Sequence, residues 1–284
     1  MSGVLVAAAL RRTDPRAAVD PLTGAVTRDG RAATASAADL CALEHALRLA
    51  GALGGCCVAV TVGPADCDVL LREALAAGAH EVVRAEGPDH DAAATARTLH
   101  EALTRRHGPP DLVVCGDRSA DRGTGSTPAF LAARLGASQA LGLLELEAAD
   151  GGVRALRRLD GGRRERLCVP LPAVCSVEAT DVRLRRAALP AVLAARTAAV
   201  PVVTVDPPTS SERVRTVSVR PYRPRPKALP GPGPGTPRER MLALSGAFVP
   251  RTPPRVVTSA DPAEAVDELL AFLRSGGYLP KEAP

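Results

Sequence analysis

Residues 111–128, Asp-Leu-Val-Val-Cys-Gly-Asp-Arg-Ser-Ala-Asp-Arg-Gly-Thr-Gly-Ser-Thr-Pro, decide the fold class. The apolar run Asp111–Gly116 is typical of a buried strand that ends at a glycine. A loop rich in glycine, serine and threonine follows, and Pro128 then starts a helix with Thr127 as its expected N-cap. A strand that leads through such a loop straight into a helix is typical of an open α/β sheet.

The residues on either side of this stretch continue the alternation of strands and helices. In chain order, the predicted elements are strand Val4–Ala8, a helix capped by Ser36, strand Cys57–Val62, helix Asp66–Ala77, strand Glu81–Ala85, helix Ala92–Arg106, strand Asp111–Gly116 and helix Pro128–Leu135. Strands separated by helices of this length require crossover connections. The sequence therefore predicts an α/β, Rossmann-like fold: a parallel twisted sheet with helices on both faces.

The pattern changes in the second half of the chain. Alternating residues between Leu143 and Val169 flank Asp160-Gly-Gly162, which predicts a small antiparallel hairpin. Residues 201–284 are rich in proline and end in an amphipathic helix at Ala263–Ser275. We expect an α/β domain over residues 1–200, followed by an extended C-terminal arm that either wraps a partner or folds back on its own domain.

Composition excludes several classes of function. Aromatic residues make up only 2% of the chain and tryptophan is absent, which argues against nucleic-acid binding by base stacking despite a net charge of +5. The seven cysteines form no CxxC pair, so zinc and iron–sulfur spacings are missing. No apolar run approaches the length of a membrane span. These features predict a cytoplasmic protein with free thiols.

The loop after Gly116 is the strongest candidate for a binding site. Its glycines allow the backbone to approach an anion, and the following helix offers unpaired N–H groups and a positive dipole. The alternative is a tight turn without a ligand, because the loop matches neither the dinucleotide fingerprint nor the Walker motif. Val60–Pro64 and Ser36–Asp39 are further candidates beside predicted strand and helix ends. No catalytic motif such as GxSxG accompanies the histidines, and His45 beside Glu44 is expected to form a surface pair.

As an ordered set, these motifs resemble the β subunit of electron transfer flavoproteins, including the FixA type. Val4-Leu-Val-Ala7 is similar to the first strand of that family, and Ser36-Ala-Ala-Asp39 to the start of its next helix. Val58–Gly78 follows the family nearly residue by residue, and Asp121–Pro128 matches its nucleotide loop. Further matches are Asp111–Gly116, Asp160–Gly162, Leu171–Val174 and Leu189-Pro190.

The resemblance implies that this subunit binds AMP or a second FAD, while the main redox FAD is shared with a separate α subunit. Backbone groups of Ala7 and Val62 would face the adenine, and Gly123–Thr127 would hold phosphate. Carried over by position, the nucleotide site consists of Ala7, Ser36, Ala37, Ala38, Asp39, Val62, Gly63, Gly116, Asp121, Arg122, Gly123, Thr124, Gly125, Ser126 and Thr127. The protein would be an electron carrier and not an enzyme, because the flavin performs the redox chemistry.

The resemblance also implies a dehydrogenase donor that docks near Glu178–Arg186. That segment departs from the family's usual Asp-Leu-Arg-Leu-Asn-Glu-Pro-Arg-Tyr, which argues against acyl-CoA dehydrogenases as donors. The proline-rich insertion and residues 238–246 resemble a divergent branch associated with mycofactocin redox systems. The alternative function is a stand-alone nucleotide-binding regulatory module with a fold like that of universal stress proteins. An ATP-pyrophosphatase-like enzyme is disfavoured, because no Ser-Gly-Gly-x-Asp loop follows the first strand.

Overall fold

A computed structural model describes most of the chain. The described residues are 3–27, 29, 33–89, 91–180, 182–206, 217–218, 220, 233, 235–245, 256–258 and 261–279. The chain divides into two compact units, Met1–Tyr222 and Arg223–Pro284. Most of the proline- and glycine-rich run at 230–235 lies outside the described residues, so the prediction of an extended arm there stays a prediction.

The first unit contains all the strands of the described chain. They are β1 (Leu5–Leu10), β2 (Arg12–Thr13), β3 (Ala18–Val19), β4 (Val26–Thr27), β5 (Thr34–Ala35), β6 (Cys56–Val62), β7 (Glu81–Glu86), β8 (Leu112–Gly116), β9 (Ser138–Ala149), β10 (Gly152–Arg158), β11 (Arg164–Pro170), β12 (Ala173–Val177) and β13 (Val202–Thr204). The helices are α1 (Ala37–Ala52), α2 (Asp68–Ala77), α3 (Ala92–His107), α4 (Thr127–Leu135) and α5 (Leu189–Arg196). Strand and helix alternate from β6 to α4, as the sequence predicts.

The main sheet has nine strands in the order β11-β10-β9-β12-β8-β1-β6-β7-β13. Every pair from β9–β12 across to β7–β13 is parallel, whereas β9, β10 and β11 pair antiparallel. The parallel sheet is therefore confirmed. The predicted hairpin is β10–β11, and it is part of a three-stranded meander that extends one end of this sheet. Two short antiparallel pairs, β2–β5 and β3–β4, lie outside the main sheet.

Helices cover both faces of the sheet and bury two aliphatic cores. Leu43 on α1 and Leu71 on α2 belong to the core on one face, and Leu103 on α3 and Leu131 on α4 belong to the core on the other. Neither core contains an aromatic residue. Burying such aliphatic area contributes roughly 25 cal/mol per Å², so many leucines, valines and alanines can replace a few large rings.

The helix ends explain how the chain enters each face. The Ser36 hydroxyl accepts a hydrogen bond from the backbone N–H of Asp39 at 3.1 Å, which confirms Ser36 as the N-cap of α1. The predicted N-cap at Thr127 is wrong by one residue, because α4 begins at Thr127 and its N-cap position is Ser126. The Ser126 side chain makes no capping hydrogen bond. The start of α4 therefore lacks the usual internal partner for its first N–H groups.

The second unit contains helices α6 (Pro237–Ser245) and α7 (Pro262–Ser275) in its described part. On α7, the apolar residues Val266, Leu269 and Phe272 lie at helical spacing and are more than half exposed. The Asp261 carboxylate caps the N-terminus of this helix. In the part of the chain that the structure describes, the helices are too short or too polar to span a membrane.

Candidate functional site

A cavity opens where the carboxyl ends of β1, β6 and β8 meet. β1 lies at the point where the chain order reverses, since β6 and β7 extend the sheet to one side and β8 extends it to the other. Such switch points are the usual ligand sites of open α/β sheets. The cavity encloses about 720 Å³, including the part open to solvent. Its apolar lining includes Ala9, Val62, Leu99, Cys115, Pro128 and Leu131.

The loop between β8 and α4 presents free backbone N–H groups to this cavity. Its own turn is closed by hydrogen bonds from Ser119 N–H to the Thr124 carbonyl and from Gly123 N–H to the Ser119 carbonyl, both at 2.8 Å. Among the described residues, the N–H groups of Thr124–Thr127 find no protein acceptor. Thr124, Gly125 and Thr127 line the cavity, together with Ser119, whose buried hydroxyl oxygen also has no hydrogen-bond partner within the described ranges. Thr124, Gly125 and Ser126 are exposed, so either water or an acceptor-rich ligand can accept from these N–H groups.

Two glycines let the backbone segments around the cavity come close together. A Cβ atom on Gly125 would lie 2.5 Å from the Asp117 carbonyl oxygen, a distance that side chains do not tolerate. A Cβ atom on Gly116 would lie 2.8 Å from Oδ1 of Asp39. Gly125 therefore keeps the loop folded on itself, and Gly116 lets the end of β8 contact the start of α1.

Two arginine–aspartate pairs hold the loop in place. The Arg11 guanidinium, just beyond β1, donates two hydrogen bonds of 2.7 Å to the Asp121 carboxylate. These hydrogen bonds raise the pKa of Arg11 above its ordinary value. Arg122 contacts the Asp89 carbonyl and pairs with the Asp89 carboxylate at 3.3 Å. The loop is thus tied to the ends of β1 and β7, and both arginines lie at the cavity.

Asp39 is the most perturbed acid at the cavity. Its side chain lies in the first turn of α1 and is 6% exposed. Burial raises its pKa to about 6, although hydrogen bonds from Ser36 and the Gly116 N–H partly oppose that rise. The Ser36 hydroxyl lies 2.7 Å from Oδ2. The site therefore combines donors on the loop with one carboxyl group that titrates near neutral pH.

Comparison with known proteins identifies the family of this chain. Residues 23–208 match the family model described as the electron transfer flavoprotein domain. The chain belongs to the electron transfer flavoprotein family. This match confirms the resemblance that the sequence motifs indicate, and it disfavours the regulatory module as an alternative.

Relatives within the electron transfer flavoprotein family are β subunits and FixA proteins. The chain is 33% identical to "Protein FixA" of Rhizobium meliloti over 153 residues, which are 51% of this chain and 52% of that protein. It is 32% identical to "Electron transfer flavoprotein subunit beta" of Chromohalobacter salexigens over 211 residues, which are 73% of this chain and 75% of that protein. A β subunit of Bradyrhizobium diazoefficiens is 34% identical over 164 residues, 56% of this chain and 63% of that protein. The chain spans about half the length of the first relative and is of the β/FixA type.

The structure brings about half of the predicted site residues of this electron transfer flavoprotein chain to one cavity. The lining includes Asp39, Val62, Gly116, Arg122, Thr124, Gly125 and Thr127. The remaining residues stand beside it in the same segments, except for Ala7. Ala7 is fully buried inside β1, and Ala9, Leu10 and Arg11 line the cavity in its stead.

The predicted residues outside the lining have other contacts. Ser36 caps α1, and Ala37 and Ala38 form its first turn. Gly63 donates its N–H to the Ala85 carbonyl at 3.0 Å, and Asp121 holds Arg11. Gly123 has a φ of +67° in the loop turn, and Ser126 precedes α4.

Sequence reasoning missed five polar residues of the cavity, Arg11, Thr95, Asp117, Arg118 and Ser119. Arg11 directly follows the first predicted strand, at the sheet edge where the loop lies, and this position is the signal that could have found it. Arg118 and Ser119 stand within the loop itself. No group of three or more histidine, cysteine, aspartate or glutamate side chains in the described ranges is arranged to hold a metal ion.

The segment Glu178–Arg186, apart from Asp181, which lies outside the described residues, is anchored to α1. Arg185 donates three hydrogen bonds to the Glu44 carboxylate, from its backbone N–H at 3.1 Å, from Nε at 2.9 Å and from Nη2 at 3.1 Å. Glu44 is 3% exposed and His45 is 4% exposed. The predicted surface pair Glu44–His45 is therefore wrong: both residues are buried, because Arg185 satisfies the carboxylate from a distant part of the chain.

Proposed function

We propose that this chain is the β-type subunit of an electron transfer flavoprotein and that it holds an adenine nucleotide in the cavity beside β1. The nucleotide is AMP or a second FAD. One observation carries the proposal: Thr124, Gly125 and Thr127, whose N–H groups have no acceptor among the described residues, line a cavity that also offers three arginines and a set of aliphatic side chains. That combination fits a ligand with an anionic end and a flat apolar end.

Each end of the nucleotide has a matching part of the cavity. The phosphate accepts hydrogen bonds from the N–H groups of the loop, where the positive end of the α4 dipole and the nearby Arg11 and Arg122 add favourable charge. The orphaned Ser119 hydroxyl supplies a further donor. The adenine packs among aliphatic side chains such as Val62 and Leu131, which exclude water.

The redox chemistry belongs to flavin, and this chain's residues bind and orient. When bound, FAD supplies a centre that takes electrons from a dehydrogenase and gives them to a later acceptor. The main FAD is shared with an α subunit, so the chain is an electron carrier subunit and not an enzyme by itself. Its family membership and the β-type names of its relatives support this role. A cytoplasmic location fits the seven free cysteines.

The α subunit needs a surface on this chain, and the second unit offers one. The apolar residues Val266, Leu269 and Phe272 of α7, together with Met241 and Leu244 of α6, are all more than half exposed. Exposed apolar stripes on helices are typical of partner-binding surfaces. The expected start of the arm at residue 201 is too early, because Val202–Thr204 forms β13 of the main sheet, and in this proposal the chain beyond β13 wraps the α subunit.

A donor dehydrogenase docks near Glu178–Arg186. The Glu44–Arg185 ion pair holds this segment, which lowers the entropy lost when a partner binds. Beside it, a mostly apolar groove of about 1070 Å³ runs between α2 and α5. Val69 of α2 and Val192 of α5 line this groove and are exposed. The resemblance to a branch associated with mycofactocin redox systems stays a prediction.

The test compares Gly125→Val with a matched control, Gly51→Ala. The valine side chain would collide with the Asp117 carbonyl and displace the loop amides, whereas Gly51 lies in α1 with open space around its Cβ position. Each variant is produced together with the α subunit, and the nucleotides released on denaturation are identified by chromatography and by the flavin spectrum. We expect the Gly125→Val complex to lose the AMP or second FAD and the control to keep it.

Two results would contradict the proposal. Full nucleotide retention by Gly125→Val would mean that the loop is only a turn. A wild-type chain that purifies as a monomer with ATP and ignores the α subunit would favour a regulatory module. Equal loss of nucleotide in both variants would mean that the nucleotide dissociates during purification. A repeat with AMP in all buffers would distinguish this dissociation from loss of the site.

A further inference from the structure

Asp39 is a buried acid that lines the proposed nucleotide cavity. Its carboxyl group lines the cavity and is 6% exposed. The Ser36 hydroxyl lies 2.7 Å from Oδ2. Because Gly116 has no side chain, Oδ1 lies directly against the end of β8. The helix and the strand thus hold the carboxyl group at a fixed place in the cavity.

No nearby cation neutralises this carboxylate directly. The other charged or titratable groups that line the cavity are Arg11, Cys115, Asp117, Arg118 and Arg122. Each of the three arginines has an aspartate partner other than Asp39, and no ion pair to Asp39 exists among the described residues. Arg11 still favours the ionised form through space, but burial outweighs it. Burial also raises the pKa of the Cys115 thiol, which therefore stays neutral.

We infer that Asp39 couples occupancy of this cavity to one proton. The inference rests on the proposed nucleotide site. When a phosphate-bearing nucleotide binds, a proton from solvent is added to a carboxylate oxygen of Asp39, and it returns to solvent when the nucleotide leaves. An anion brought into the same low-dielectric space disfavours a second negative charge there. Once protonated, the carboxyl group donates one hydrogen bond as well as accepting others.

The resting state of Asp39 makes this exchange accessible near neutral pH. Because its pKa is about 6, the Asp39 carboxyl group is largely ionised at pH 7 and half protonated about one pH unit lower. If the nucleotide raises that pKa by about one, binding at pH 6.5 takes up about half a proton. By linkage, FAD, whose diphosphate does not titrate in this range, then binds about fourfold more tightly at pH 6 than at pH 7.5.

Calorimetry of the complex with the α subunit measures the proton directly. AMP is titrated at pH 6.5 in two buffers that differ in ionisation enthalpy, and the difference in heat gives the protons taken up. The AMP phosphate itself titrates near pH 6. When the donors of the site favour its dianion, AMP releases a proton on binding, and this release is opposite in sign to the uptake by Asp39. FAD serves as the second probe, because its diphosphate does not titrate in this range. Adenosine, which lacks the phosphate charge, should show little or no uptake.

Variants assign the proton to Asp39. Asp39→Asn should bind AMP without proton uptake. The matched control is Glu73→Gln, since burial also raises the pKa of Glu73 but that residue lines a different cavity. The control should take up as many protons as the wild type. The comparison of FAD with adenosine tests the same point in the wild-type protein if Asp39→Asn fails to fold.

The outcomes separate this inference from the proposed function. Nucleotide binding with no proton uptake, or uptake that persists in Asp39→Asn, overturns the inference and leaves the nucleotide site intact. Failure of both AMP and FAD to bind the wild-type complex overturns the proposed function itself, and the coupling goes with it.

Discussion

Arg185→Ala is expected to destabilise the protein, because it leaves the buried Glu44 carboxylate without its main partner. The substitution removes two hydrogen bonds to a charged group, which together are worth about 3 kcal/mol. The Arg185 side chain is 45% exposed, and Arg48 still donates to Glu44 at 2.7 Å. Solvent screening and this remaining bond reduce the expected loss to about 2 kcal/mol.

The effect of Arg185→Ala should depend on pH. Burial raises the pKa of Glu44, but the hydrogen bonds from Arg185 and Arg48 outweigh it, and the net pKa is lowered. A lowered carboxyl pKa stabilises the folded state above the pKa of the unfolded chain, and this stability is lost as the pH falls through the folded value. The substitution should therefore cost less at pH 4 than at pH 7.5.

Urea unfolding followed by circular dichroism at both pH values measures these differences. Arg154→Ala is the matched control, because Arg154 is exposed and pairs with an exposed Glu147 at 3.2 Å. An exposed pair contributes about 0.5 kcal/mol or less. The reasoning fails if Arg185→Ala costs no more than Arg154→Ala, or if its cost is the same at pH 4 and pH 7.5.

Two further outcomes follow from burial. Asp39→Asn should stabilise the nucleotide-free chain by up to about 3 kcal/mol at pH 7.5 and by about half of that at pH 5, because the wild-type protein loses stability as the pH rises from 3.8 through the folded pKa of about 6. Urea midpoints at the two pH values check this, and a gain independent of pH would rule it out. A thiol reagent should label Cys168 rapidly in the native state, since it is the exposed cysteine. Mass spectrometry should find Cys41, Cys57, Cys67, Cys115 and Cys175 unlabelled until denaturant is added, and rapid native labelling of Cys115 would contradict its burial.

The parts of the fold that local sequence determines could be predicted. The helix that follows Ser36 is an example, because its cap and its apolar stripe lie within a few residues of one another. The parallel sheet could be predicted because crossover helices separate its strands. The extension of the sheet through β9 was not predicted, since Ser138–Leu143 pairs with β12 and Gly142 interrupts its alternation. Pairing between distant strands leaves no trace in local periodicity.

The candidate site divides in the same way. The loop at Gly123–Thr127 is visible in the sequence because its glycines, hydroxyls and following proline are contiguous. The contact between Arg11 and Asp121 joins residues 110 positions apart, so it could not be read from either segment alone. Glu44 was misjudged for the same reason, because helical periodicity assigns a charged residue to the surface unless its partner is known.

Among the described strands, β11 forms one edge of the sheet, and this edge bears on how copies of the protein behave in concentrated solution. Arg164, Arg166 and Cys168 alternate along the solvent-exposed side of that strand. A bare strand edge invites a second copy to add its own strand, and natural proteins resist such stacking with repelling charge. The guanidinium groups oppose edge-to-edge aggregation, and the Cys168 thiol next along the strand is the position at which two copies could become crosslinked by oxidation. A reducing buffer prevents this crosslink, and a moderate ionic strength keeps the repulsion between the arginines from being fully screened.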